Sequence, residues 1–174
     1  MKRWAVQKVM DTPSPLSNKS PPCVHAQWFD EAFRAAAHSP HPHVKVGALI
    51  INDAEGKKTL LASACNDFAE GVLQRPERLN SGEKSFWLMC AEKRAIHAAR
   101  TIMPASLHPC ALYATLDPCH TCADDIIGAG IKTVYVPLRA SNHYPELKEK
   151  WQKSMTIGAI KMHESGVRVV YVRL

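Results

Sequence analysis

The sequence predicts an α/β fold: a three-layer α/β/α sandwich around a mixed five-stranded sheet. Three observations carry this. After a first helix, two strand patterns joined by a short turn form an antiparallel hairpin. After them, apolar strands alternate with helical patterns, which calls for crossover connections and parallel neighbours. The length, 174 residues with 46% hydrophobic residues, suits one domain with a full core.

Residues 1–22 hold four of the twelve prolines, mixed with Ser, Asn and Lys. Thr12-Pro13-Ser14-Pro15 and Ser20-Pro21-Pro22 forbid regular helix, so an N-terminal arm is expected, and residues 23–174 form the single domain. The first helix is expected over 24–38, since Trp28, Phe29, Ala32, Phe33 and Ala36 share one face and Pro40 and Pro42 end it. His38, His41 and His43 follow, but their spacing across two prolines suits a solvated loop better than a ligand set. Val46–Ile51 and Thr59–Cys65 are the hairpin strands, with Asn52–Gly56 as the turn. From Asn66 to about Ser85 the chain is irregular and too long for a connector, which points to a lid or a subunit contact.

The second half alternates regularly. A helix is expected over Cys90–Thr101, ended by Pro104, and a strand over Ala111–Leu116. A helix over Cys119–Ala129, closed by Gly130, and a strand over Thr133–Leu138 come next. The last helix spans Pro145–Glu164, with Leu147, Trp151, Met155 and Met162 on one side, and Val167–Leu174 is the last strand. No internal repeat is present.

Composition narrows the class. No apolar run approaches the roughly 18 residues of a membrane span, and no secretory h-region follows Met1-Lys2-Arg3, so a cytoplasmic protein is expected. In that setting clustered cysteines among the six point to metal or catalysis rather than disulfides. Cys23, Cys65 and Cys110 stand in apolar or turn contexts and read as incidental. A net charge of +6 and a pI near 9.1 are compatible with phosphate or nucleic acid, yet the basic residues are scattered.

The chemistry concentrates in Cys90-Ala91-Glu92 and Pro118-Cys119-His120-Thr121-Cys122. Cys119 and Cys122, at i and i+3 in the first turn of a helix, face the same way. Pro118 suits a helix start, and Cys90 begins another helix. Two helix N-termini aimed at one place favour thiolates, and soft thiolates at tetrahedral spacing select zinc. Three ligands rather than four imply a catalytic site with an open position. His120 and Cys110 are the candidates for a fourth ligand. Glu92, two residues after Cys90, is placed beside the metal as a proton shuttle.

These paired motifs resemble those of the cytidine/deoxycytidylate deaminase superfamily, over roughly residues 24–138. The resemblance implies hydrolytic removal of ammonia from a nucleobase, with Cys90, Cys119 and Cys122 on zinc and Glu92 moving protons. Within the superfamily the chain looks most like deoxycytidylate deaminases: Val46-Gly47-Ala48 matches their first strand, and Ala123 with Ile126–Ile131 matches their helix after the second motif. By the same similarity Asn66 would contact the substrate sugar, the Ala91 N–H would meet the base, and the enzyme would be a homo-oligomer.

Two departures bear on substrate. Deoxycytidylate deaminases usually carry His at the first ligand, where this chain has Cys90; a third thiolate makes the site more negative. Lys93 stands where cytidine deaminases have a compensating arginine, and Arg94 follows, so one of the two is expected to offset that charge. Glu70 stands near where relatives often have a phosphate-binding arginine; Lys45, Arg75, Arg78 and Lys84 are the alternative cations. The substrate reading is a cytosine nucleotide or nucleoside, dCMP-like. The alternatives are another base, such as tRNA adenosine or a free purine, a zinc-stabilised binding module without catalysis, and a redox dithiol at Cys119 and Cys122. Nucleic acid is not favoured, because no aromatic–basic stacking surface is visible.

Overall fold

A computed structural model describes residues 23–79, 84–138 and 148–174. The N-terminal arm read over 1–22 lies outside them. In chain order the elements are α1 (Ala26–Ala37), β1 (Gly47–Asn52), β2 (Thr59–Cys65), β3 (Asp67–Phe68), α2 (Lys84–Trp87) and β4 (Leu88–Met89), followed by α3 (Ala91–Ile102), β5 (Cys110–Ala114), α4 (His120–Gly128), β6 (Thr133–Pro137), α5 (Glu149–Glu164) and β7 (Arg168–Val172).

The sheet is mixed and five-stranded, in the order β2-β1-β5-β6-β7. β1 pairs antiparallel with β2 and with β5, while β5, β6 and β7 run parallel. Alternation along the strands builds two cores. Ile50, Leu112 and Val134 face a cluster that includes Ala95 of α3, Ile126 of α4 and Met162 of α5. Leu49, Ile51 and Tyr113 face Phe29 and Ala32 of α1. Helices on both faces give the expected three layers. Gly47 lets α1 lie directly on β1, since a Cβ there would sit 1.9 Å from the Ala32 carbonyl oxygen.

The segment expected to be irregular has a frame of its own. β3 pairs antiparallel with β4, Asp67 opposite Met89 and Phe68 opposite Leu88, so the excursion leaves and returns beside Cys90. Between them lie a 3₁₀ turn over Pro76–Leu79 and the single turn of α2. Asn66 anchors the departure point: its Oδ1 accepts from the Val46 N–H at 2.8 Å and its Nδ2 donates to the Val44 carbonyl at 2.9 Å. Asn66 is buried, so Asn66→Ala is expected to lower stability by about 2 kcal/mol, measured by denaturant unfolding.

The structure corrects one face. Of the side expected for the last helix, Met162 is buried as expected, Trp151 and Met155 are only partly buried, and Leu147 lies with residues 145–147 outside the described ones. The other inward residues of α5 are Ser154 and Gly158. Small side chains replace bulky ones there because α5 packs closely on α4 and the turn before it.

Candidate active site

The end of β5 delivers the site. Thr115 N–H donates to the Gly47 carbonyl at 3.0 Å, and the Gly47 N–H donates to Thr115 Oγ1 at 3.0 Å. Asp117 follows, accepting from the Tyr171 hydroxyl of β7 at 2.7 Å. Pro118 then leads into Cys119, the N-cap residue of α4. Cys90 is the N-cap residue of α3. Two helix N-termini therefore converge, each led by a cysteine whose backbone is extended.

The sulfurs of Cys90, Cys119 and Cys122 lie within 4.8 Å of one another, and among the described residues they are the only His/Cys/Asp/Glu group so arranged. Cys119 and Cys122 Sγ are 3.4 Å apart. Zinc–sulfur bonds of about 2.3 Å in a tetrahedron set sulfur–sulfur edges of about 3.8 Å, so the trio fits a zinc ion. The Cys119 thiol is held far below its usual range by the hydrogen bonds it shares with Cys122 and then Cys90, helped by Thr121. Its partners shift the other way: the bond to Cys119 pushes Cys122 and Cys90 well above that range. Three sulfurs thus compete for protons at one point, which is what a divalent cation relieves.

Neither candidate for a fourth ligand joins them. His120 turns to α5, its Nδ1 2.7 Å from Ser154 Oγ. Cys110 opens β5, opposite Asn52 and 4.0 Å from the Met103 sulfur, at the far end of the strand. His41 accepts from the His43 and Val44 N–H groups, a turn-shaping role.

Glu92 sits in the first turn of α3 and is only 4% exposed. Burial, foremost, pushes its carboxyl up to about 8, with the Cys119 thiolate adding to the rise. Its own backbone N–H, the Cys122 thiol and Lys93 pull the other way. A carboxyl poised near neutrality can both take and give a proton. Ala91 is fully buried at the first position of the same helix, where the N–H has no intrahelical partner.

The two cations after Glu92 part company. Lys93 Nζ is 3.1 Å from Asp125 Oδ2 of α4. Burial works against its charge, but Asp125 and the Cys122 and Cys90 sulfurs outweigh it and raise its pKa. Arg94 donates to the Cys65 carbonyl at 2.8 Å and lies 3.7 Å from Asp67 Oδ2, at the corner where β2 gives way to β3. Lys93 is therefore held against α4, the helix that carries Cys122, and Arg94 against the β2–β3 corner. Lys93→Ala is expected to weaken zinc binding by about tenfold. It should also move the acid limb of the pH–rate profile to higher pH, because a site without that cation releases protons less readily. An unchanged profile and affinity would remove Lys93 from this role.

Several supports escaped the sequence reading: Asp125 for Lys93, Tyr171 for Asp117, and Ser154 for His120. Each joins residues distant in the chain. Only Ser154 carried a signal, a polar side chain on the buried stripe of its helix; Asp125 and Tyr171 are partly exposed and look like ordinary surface residues.

The family match identifies this three-layer sandwich and its three-cysteine site as those of a hydrolytic deaminase. The family model described as the cytidine and deoxycytidylate deaminase zinc-binding region matches residues 22–138, and the chain belongs to that family. An uncharacterized deaminase of Aliivibrio fischeri is 24% identical over 148 residues, covering 85% of this chain and 92% of that one. A probable deoxycytidylate deaminase of Caenorhabditis elegans is 27% identical over 133 residues, covering 74% of this chain and 61% of that protein. The fold is shared with dCMP deaminase from the cyanophage S-TIM5, at a TM-score of 0.62 and 22% identity over 88% of this chain and 100% of the other. Among the described residues no helix is long and apolar enough to cross a membrane.

Proposed function

We propose that this deaminase is zinc-dependent and converts the cytosine of a free nucleotide or nucleoside, dCMP-like, to uracil with release of ammonia. The observation that carries the proposal is the three-sulfur cluster with the buried Glu92 in the same helical turn as Cys90. Cys90, Cys119 and Cys122 would hold the zinc, which would supply Lewis acidity to a water molecule near neutral pH. Glu92 does the proton work. Its carboxylate takes a proton from the attacking water and delivers it to the ring nitrogen beside the carbon under attack. A second transfer through Glu92 goes to the amino group, which leaves as ammonia while the water oxygen stays on the ring. On this reading the Ala91 N–H meets the base and Asn66, whose amide is pinned to Val46 and Val44 at the start of the β3–β4 excursion, contacts the sugar.

The dCMP preference draws support from relatives: the Caenorhabditis elegans protein is named a probable deoxycytidylate deaminase, and the cyanophage enzyme has been solved with dCMP and dUMP. Two of the candidate phosphate cations already have partners, Lys45 on the Ala37 carbonyl and Arg78 on the Leu73 carbonyl and the Trp87 ring. A homo-oligomer in the cytoplasm is the form this reading implies. Ammonia release from dCMP, deoxycytidine, cytidine, guanine and a tRNA tests it. Turnover on dCMP or a cytosine nucleoside is expected; turnover on tRNA or guanine alone would overturn the substrate assignment.

A further inference from the structure

α5 begins beyond the 22–138 stretch that the family model matches, so nothing in the motifs assigns it a part in the site. Its buried stripe nevertheless meets the metal-binding turn at successive points. Ser154 Oγ accepts from the His120 backbone N–H at 3.3 Å and lies 2.7 Å from His120 Nδ1. One turn on, a Cβ added to Gly158 would sit 2.6 Å from the Pro118 carbonyl oxygen and 3.0 and 3.1 Å from the Cys119 carbonyl carbon and oxygen. Those are backbone atoms, which cannot swing aside as a flexible side chain can. A further turn on, Lys161 Nζ binds both carboxylate oxygens of Asp124 at 2.8 Å and reaches the His120 carbonyl at 3.5 Å.

These contacts share a target. His120 is one of the two residues between the thiols, and its N–H belongs to the first turn of α4, where helix N–H groups lack intrahelical partners. Ser154 supplies that partner from another helix. Gly158 lets α5 approach until its backbone abuts the peptide that carries Cys119. We infer that α5 is a clamp on the metal-binding turn, with Gly158 and Ser154 as positioning residues that hold the Cys119 and Cys122 sulfurs at the spacing a metal needs. Neither touches the ion or the substrate. Their effect runs through the backbone of residues 118–120.

The inference rests on the proposed three-cysteine metal site, and its test separates the two. The full-length protein is stripped with chelator and titrated with Co²⁺, whose thiolate charge-transfer band reports how many sulfurs are bound and how tightly. Gly158→Ala is expected to lower Co²⁺ affinity by about tenfold or more, the range seen when groups supporting metal ligands are removed. Ser154→Ala should lower it severalfold, and Ser154→Thr, which keeps the hydroxyl, should recover most of that loss. Gly128→Ala, on a helix position with nothing within 4 Å, should leave it unchanged. Circular dichroism and melting without metal check the fold of each variant. If Gly158→Ala does not fold, the Ser154 pair decides alone. Wild-type affinity in a folded Gly158→Ala, or in Ser154→Ala, overturns the clamp while the metal site stands. A wild-type protein without a thiolate band overturns both.

Discussion

Glu92→Gln is expected to abolish turnover by about a thousandfold, within the range for a general acid–base group, while zinc content stays that of the wild type. The two side chains have nearly the same volume, and the position is almost fully buried, so the amide fills the same space. What it cannot do is carry a proton between water, ring nitrogen and amine. The burial that pushes the Glu92 carboxyl up to about 8 is the physical reason this residue can give a proton back after taking one. An exposed carboxylate at an ordinary pKa would take one poorly and hold it briefly. Steady-state kcat and metal analysis on one preparation check the outcome. A variant that loses zinc along with activity would point to a structural role instead.

Cys119→Ser is expected to have a comparably large effect by a different route. Cys119 lies within hydrogen-bond reach of Cys122 and in one cluster with Cys90, and it is the N-cap residue of the helix that also carries Cys122. Replacing it leaves two sulfurs, too few to retain zinc against dialysis, and turnover should be lost with the metal. Stability should fall as well, because a ligand that binds only the folded state contributes to its stability by mass action, about 4 kcal/mol when present at a thousand times its Kd. Melting of wild type with and without chelator should reproduce that drop. Melting of Cys119→Ser should be insensitive to chelator.

Much of the fold was legible because its signals are local. The hairpin from β1 to β2 follows from two apolar runs and a turn, and α3 from an alanine-rich stretch behind Cys90. The three-cysteine cluster was legible because Cys119 and Cys122 lie three apart at one helix start, and Cys90, with Glu92 two residues on, begins another. The limits are equally physical. β3 and β4 are two residues each and pair across some twenty positions, too short for an alternating pattern to show. The inward face of α5 was misread because apolar periodicity points to Trp151 and Met155, whereas the close approach to Pro118 and Cys119 requires Ser154 and Gly158. Lys93 and Arg94 look equivalent as neighbours in the chain. On a helix they face different partners, Asp125 for one and the Cys65 carbonyl for the other.

The most direct measurement follows ammonia release from one preparation in three states: zinc-loaded, chelator-stripped, and stripped then reloaded with zinc, each beside Glu92→Gln. Using whichever cytosine substrate turns over fastest, wild type should release ammonia when loaded, stop when stripped and recover on reloading. Glu92→Gln should stay near background while holding the same zinc. Ammonia release that survives stripping, or that runs as fast in Glu92→Gln as in wild type, would contradict a hydrolytic site built from Cys90, Cys119, Cys122 and Glu92.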